Sequence, residues 1–193
     1  MKSGFVTAAL FAALTFPTLA PAREHDGVQM ADPLTLAGKS LRLNGMGTRR
    51  RRMPILKTRA YVGGLYLEIP TDDAKTAVAS DQVKQIRIQF THDLDRGEIS
   101  RELVHCWDHN SKRWGKVEEA TFDKLIEWLP AAHRGDVWEI TYVPGVGTTV
   151  ATDPKSVWKH DGKAFADALF AVWLGPRPPT EELRKGMLGM ATP

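Results

Sequence analysis

NGMGTRRRRMPILKTRAYVGGLYLEI, residues 44–69, contains two glycines, a run of four arginines and one long extended segment. Gly45 and Gly47 mark a backbone bend or the close approach of another chain segment. Arg49 to Arg52 follow and Pro54 interrupts. Ile55 to Ile69 is then rich in β-branched, aromatic and leucine residues, which predicts a strand. Alternation divides that strand into two faces. Leu56, Thr58, Ala60, Val62, Gly64 and Tyr66 share one. Ile55, Lys57, Arg59, Tyr61, Gly63, Leu65 and Leu67 share the other, which is apolar at its ends with a Lys-Arg-Tyr centre. Such a face suits a cleft with an apolar body and a cationic, hydroxyl-bearing end. It also fits a solvent-facing stripe on a one-sided antiparallel sheet. In the arginine run, alternation points Arg49 and Arg51 opposite to Arg50 and Arg52, so only half can face a cleft.

Working outward, Leu34–Leu36 and Ser40–Arg50 read as a hairpin around Gly38-Lys39. Thr71–Ser80 begins TDD and is alanine-rich, an N-capped short helix. Val83–Phe90 alternates as an antiparallel strand with one buried face. A helix runs from Asp95 or Arg96 to about Asn110, with Ile99, Leu103 and Cys106 or Trp107 as its inner stripe. Val117–Leu129 is a second amphipathic helix, closed by Pro130. Strand Val137–Val143 turns through Pro144-Gly145-Val146-Gly147 and returns over Thr148–Thr152. The turn lacks the lysine and following helix of a phosphate loop. An apolar helix, Lys163–Leu174, stops at Gly175-Pro176. Phe165, Leu169, Val172 and Trp173 on it are cleft wall or core. A last helix is capped by Thr180 and runs to about Leu188. Antiparallel hairpins without a βαβ rhythm give an α+β fold in one domain.

The first 22 residues differ from the rest. Lys2, the apolar Phe5–Phe16 run and Ala20-Pro21-Ala22 form a secretory signal peptide, too short in its apolar part to span a bilayer. The expected organisation is therefore signal peptide 1–22, polar flexible lead-in 23–33 and domain 34–189, with a periplasmic or secreted address and no membrane span after cleavage. Of the 193 residues, cleavage removes one cation, leaving 25 Lys+Arg against 23 Asp+Glu. A net charge of +2 is too balanced for a nucleic-acid partner. Cys106 is the only cysteine, so no intramolecular disulfide forms, and a lone helical cysteine reads as a buried apolar group. His105 and His109 are four apart on one helix face, a spacing able to hold a metal. The sequence points to no third ligand, so neither metal nor cofactor is expected.

GxGxR, followed by a strand ending YxGGLYLE, resembles the chalcone isomerase-like family. The FTHDLD segment with its helix, the GDVWEITYVPGVGTTV hairpin and the ending FADALFAVWLGPRPPTEELRKGMLG extend the likeness over roughly residues 34–189. The resemblance is to the bacterial, signal-bearing branch and to the fatty-acid-binding members. It implies an open-faced sandwich, a large antiparallel sheet packed against helices with a ligand cleft between. The arginine that holds an anionic ligand group in this family falls on Arg49. The tyrosine that shares the carboxylate in fatty-acid-binding members falls on Tyr61. The isomerases have threonine at that strand position, a tyrosine and an asparagine where this chain has Glu98 and His105, and a small hydroxyl residue where it has Val172. These departures imply a non-catalytic, acid-binding member.

The leading expectation is an exported binding protein for a fatty acid or similar amphipathic carboxylic acid. Arg49 and Tyr61 hold the head group, Lys57 and Arg59 are weaker candidates for the same cationic end, and Glu98, His105 and Val172 lie at further ligand positions. One alternative is a chalcone isomerase-type intramolecular lyase, in which Arg49 stabilises an enolate and Tyr61 orients a phenolate. Another is an envelope interaction module without a small ligand, its cleft filled by Trp and Phe side chains.

Overall fold

Each strand of the main sheet pairs antiparallel with the next strand in sequence, so the sheet is a pure meander. This computed structural model describes residues 21–52, 57–111 and 115–190. A small hairpin comes first, β1 (Ala22–His25) and β2 (Val28–Ala31). The seven-stranded sheet follows, beginning with β3 (Leu34–Leu36), β4 (Lys39–Arg52), β5 (Lys57–Leu67) and β6 (Lys84–Phe90). It ends with β7 (Val137–Val143), β8 (Gly147–Asp153) and β9 (Ser156–His160). Helix α1 (Ala74–Ala79) joins β5 to β6, α2 (Arg96–Asn110) and α3 (Lys116–Trp128) join β6 to β7, and α4 (Lys163–Leu174) and α5 (Glu181–Met187) close the chain. The fold is α+β, a large antiparallel sheet with helices packed against it, the architecture that the resemblance implies.

The two faces of β5 bury different partners. Tyr61, Leu65 and Leu67 join the large core beneath the helices, with Ile86, Ile88 and Phe90 of β6. Val62 and Tyr66 face the other way into a smaller core, where Val28 and Met30 of the hairpin cover Leu43 and Met46. Residues 23–33 are therefore not the flexible lead-in that their polarity suggests. Two apolar side chains, alternating with polar ones, are enough to seat the hairpin on the sheet. The expected signal segment falls almost entirely on residues 1–20, outside the described residues, as do Ile55 and Leu56 at the expected start of the long strand. Strand β9 was also not anticipated from the pattern. Its residues SVWKH are only half-buried or exposed, at the sheet edge.

The glycine pair is a close approach. A Cβ on Gly45 would stand 2.6 Å from the Gly189 nitrogen and 2.9 Å from the Met187 carbonyl oxygen, and one on Gly47 would stand 2.9 Å from Leu183 Cα. Gly186 reciprocates, since its Cβ would lie 2.5 Å from Gly47 Cα. Three missing side chains thus let the α5 backbone lie on the β4 backbone. Leu183 and Met187 enter the large core from that position.

Two irregularities in the β4–β5 ladder set which side chains face the helices. Asn44 is extra between the pairs Leu43–Tyr66 and Gly45–Leu65. Its side chain donates to the Thr71 and Met187 carbonyls, both at 3.0 Å, and accepts from the Thr71 N–H at 2.9 Å. Ala60 is extra between Arg49–Tyr61 and Arg50–Arg59. A residue inserted on one strand leaves its neighbours on either side out of phase.

Candidate functional site

A cavity of about 220 Å³ lies between the sheet and helices α2, α3 and α4. Phe90, Ile88, Trp138, Ile140, Leu125 and Leu169 form its apolar body, and Arg49, Arg51, Tyr61, Glu98, Arg101 and Glu102 its polar end. Trp138, Trp173 and Phe90 line this space without filling it.

Arg49 and Tyr61 are opposite one another in the ladder, so their side chains leave adjacent strands on the same face. Both meet the carboxylate of Glu102 on α2. Arg49 approaches Glu102 Oε2 with Nε at 2.8 Å and Nη2 at 2.6 Å, and the Tyr61 hydroxyl donates to Glu102 Oε1 at 3.0 Å. Arg49 also donates to the Arg50 carbonyl. Beside this triad Arg51 pairs with Glu98. The two rungs match by geometry. Strand residues two apart are separated by about 6.7 Å, and helix residues four apart by about 6 Å along the axis. Glu98 also accepts from the Asp95 N–H, so α2 begins in a capping box that holds the second carboxylate in place.

The electrostatics follow from this burial. Burial works against the Arg49 charge, but Glu102 more than offsets it, and the guanidinium pKa is raised. Burial, then the Glu102 charge, lifts the Tyr61 hydroxyl well above the ordinary tyrosine range. Tyr61 is therefore a protonated donor at neutral pH. Burial and Glu102 also push the Cys106 thiol up to about 12, which leaves it a packed apolar group. Trp173 of α4 is 4% exposed. Its indole Nε1–H makes no well-formed hydrogen bond among the described residues; it lies near the Tyr61 oxygen in a contact too long or too bent for one, which acts weakly against the rise in the Tyr61 pKa.

Three expected positions come out differently. Arg59 points away from the cavity and pairs with Asp26 of the β1–β2 turn, 3.6 Å away. The bulge at Ala60 breaks strict alternation, putting Ala60 beside Tyr61 on the cavity face and Arg59 on the opposite one. His105 is exposed and packs on His109 with 4.5 Å between ring centroids. It lies only three residues past Glu102 but on the solvent side of α2, and it does not line the cavity. No group of histidine, cysteine and carboxylate side chains able to hold a metal exists among the described residues. Val172 is fully buried in the core but does not line the cavity. Leu169 and Trp173, four apart, take that face, and Val172 points about 100° away from Trp173. The Lys57 side chain lies outside the described residues. Glu98 does line the cavity, as an ion-pair partner of Arg51.

Glu102 is the residue that sequence reading missed. A signal existed, since Glu98 and Glu102 are four apart on one helix face and Arg49 and Arg51 two apart on one strand face. Nothing in the sequence says that those faces meet.

Residues 22–189 match the family model described as chalcone isomerase-like. No curated protein matches the chain. Among solved structures, the chain is similar to that of a fatty-acid binding protein from Arabidopsis thaliana, with a TM-score of 0.67 and 14% sequence identity. That alignment covers 87% of this chain and 96% of the plant chain. At this identity the likeness bears on the fold. No helix among the described residues is long and apolar enough to cross a membrane.

Proposed function

The chain belongs to the chalcone isomerase-like family, and we propose that it is a non-catalytic binding protein for an amphipathic carboxylic acid, a fatty acid or close analogue. One observation carries this reading. Arg49 and Tyr61 already hold a carboxylate, that of Glu102, at the polar end of an apolar cavity. The donors have the spacing that group requires, and a guanidinium suits it because its planar fork matches two oxygens and stays charged when partly buried. The fatty-acid binding structural neighbour supports the same ligand class. Burial of the alkyl chain supplies about 0.8 kcal/mol per methylene. The cavity is smaller than the roughly 300–1,000 Å³ usual for small-molecule sites, which favours a short to medium chain. A protonated Tyr61 suits a hydrogen-bond donor better than a catalytic base. We further propose export to the periplasm or medium, supported by Lys2, the apolar Phe5–Phe16 run and Ala20-Pro21-Ala22.

Native mass spectrometry of the full chain, expressed with its leader and purified without detergent, tests the ligand. The expected result is a copurified acid that titration calorimetry with dodecanoic acid reproduces. Arg49→Ala should weaken that binding by about 1.5–3 kcal/mol, the worth of a hydrogen bond to a charged group. An unchanged affinity in Arg49→Ala refutes the head-group placement. Loss of chalcone absorbance on adding the wild-type protein would instead establish an intramolecular lyase.

A further inference from the structure

The Arg49–Tyr61 seat has a resident occupant and a poorly satisfied donor, and the two together say how a ligand enters. Glu102 takes both donors that the acid-binding reading assigns to the ligand. It is not locked in by the core, because its side chain is 25% exposed and that of Arg49 19% exposed. It stands on α2 at the cavity's polar end. Meanwhile the Trp173 indole N–H, 4% exposed, lines the same cavity beside the Tyr61 oxygen but forms no hydrogen bond of normal geometry among the described residues. A buried donor so poorly satisfied is costly, and the internal carboxylate does not relieve it.

We propose that Glu102 is an internal stand-in for the ligand's carboxylate, and that Trp173 is the third donor by which the site prefers the ligand over the stand-in. This rests on the acid-binding reading above. An entering carboxylate displaces Glu102 from Arg49 and Tyr61 and brings an oxygen within reach of the Trp173 N–H. Glu102 swings toward solvent, where its charge is hydrated. The exchange swaps one carboxylate for another on Arg49, so the guanidinium is never left unpaired. Net affinity then comes from the Trp173 bond and from burial of the alkyl chain, less the cost of freeing Glu102. A bound acid therefore competes with a residue of the protein itself, and the strength of that competitor sets the affinity.

Titration of the full-length protein with dodecanoic acid tests this, using wild type, Glu102→Gln and Trp173→Phe. Glu102→Gln removes the competing charge without changing shape and should bind roughly ten- to a hundredfold more tightly. Trp173→Phe should bind about tenfold more weakly. The Trp173 indole N–H resonance in a nitrogen–proton spectrum, assigned by its loss in Trp173→Phe, should move on adding acid to the wild type. A merely structural tryptophan would not show that displacement. Circular dichroism melts confirm that each variant is folded, and should Trp173→Phe fail to fold, the wild-type resonance and Glu102→Gln still decide. Unchanged or weaker binding in Glu102→Gln, with Arg49→Ala still weakening it as expected, overturns the stand-in while leaving the acid-binding reading intact. A stationary indole resonance at saturating acid overturns the role of Trp173. Binding by Glu102→Gln alone, with none by wild type, supports the stand-in. No binding by any variant overturns the inference together with the reading it rests on.

Discussion

Replacing Gly47 with alanine tests whether α5 is seated by the absence of side chains on β4. The new Cβ would stand 2.9 Å from Leu183 Cα, against the about 3.5–4.0 Å at which carbon atoms pack. The two backbones must separate by roughly 1 Å, and a gap of that size forfeits up to about half of each affected dispersion contact. Leu183 and Met187 carry those contacts, and both are completely buried. Overpacking at a rigid site costs about 1–3 kcal/mol, and here backbone meets backbone, so the upper end, about 3 kcal/mol, is expected. For a chain of this length that lowers the melting temperature by roughly 6–12 °C. Thermal melts by circular dichroism, paired with urea titrations, measure it. A Gly47→Ala protein that melts within a degree or two of wild type would refute the reasoning, because α5 would then be free to adjust.

Lys84 is fully buried. It donates to the carbonyls of Ala77, Val78 and Ser80 at the end of α1 and to Asp167, and burial, partly offset by Asp167, lowers its pKa to about 8. Its folded value lies below its unfolded one, so the unfolded chain holds more protons between pH 8 and 10.5, and this residue's contribution rises with pH across that window. Wild type should gain about 3 kcal/mol over Lys84→Met from the bottom of the window to the top; a difference in urea stability that is flat with pH would exclude it. Asp26 accepts from Thr48 at 2.5 Å and pairs with Arg50 at 2.9 Å, and the Thr48 bond foremost lowers its pKa. Its contribution is present above the unfolded carboxylate pKa and is lost as pH falls through the lower folded value, so Asp26→Asn should show a smaller loss of stability on acidification. Tyr61→Phe should weaken dodecanoic acid binding by about 1 kcal/mol, the net worth of a hydrogen bond, in the same calorimetric titration as Arg49→Ala.

Elements with a strong period were legible before the structure was. The α2 stripe of Ile99, Leu103 and Cys106 is buried as its spacing requires, and the opposed faces of β5 hold from Tyr61 to Leu67. Arg49 and Tyr61 do converge, and the glycine pair marks a close approach. What escaped depends on contacts between segments distant in sequence. Period-two counting puts Arg59 on the cavity face because a bulge is invisible to it. The 22–31 hairpin carries only two buried apolar residues, too few to stand out among polar neighbours. Glu102 drew no notice because a carboxylate on a helix reads as solvated until a guanidinium 53 residues earlier is seen to reach it. Lys84 sits in a clean alternation, on the buried face, and only the end of α1 explains why a cation is tolerated there.

The extra residue at Ala60 has a consequence for how this cleft could change its chemistry. Inserting one residue between Arg49 and Arg50 would give Ala60 a partner, restore even pairing between the strands and turn both over beyond that point, carrying Arg59 and Arg50 inward and Thr58 and Arg51 outward. The charge lining the slot can thus be altered by chain length alone, with no side chain exchanged. A family that shares one scaffold while differing by single insertions in this hairpin has that route to new ligands open to it.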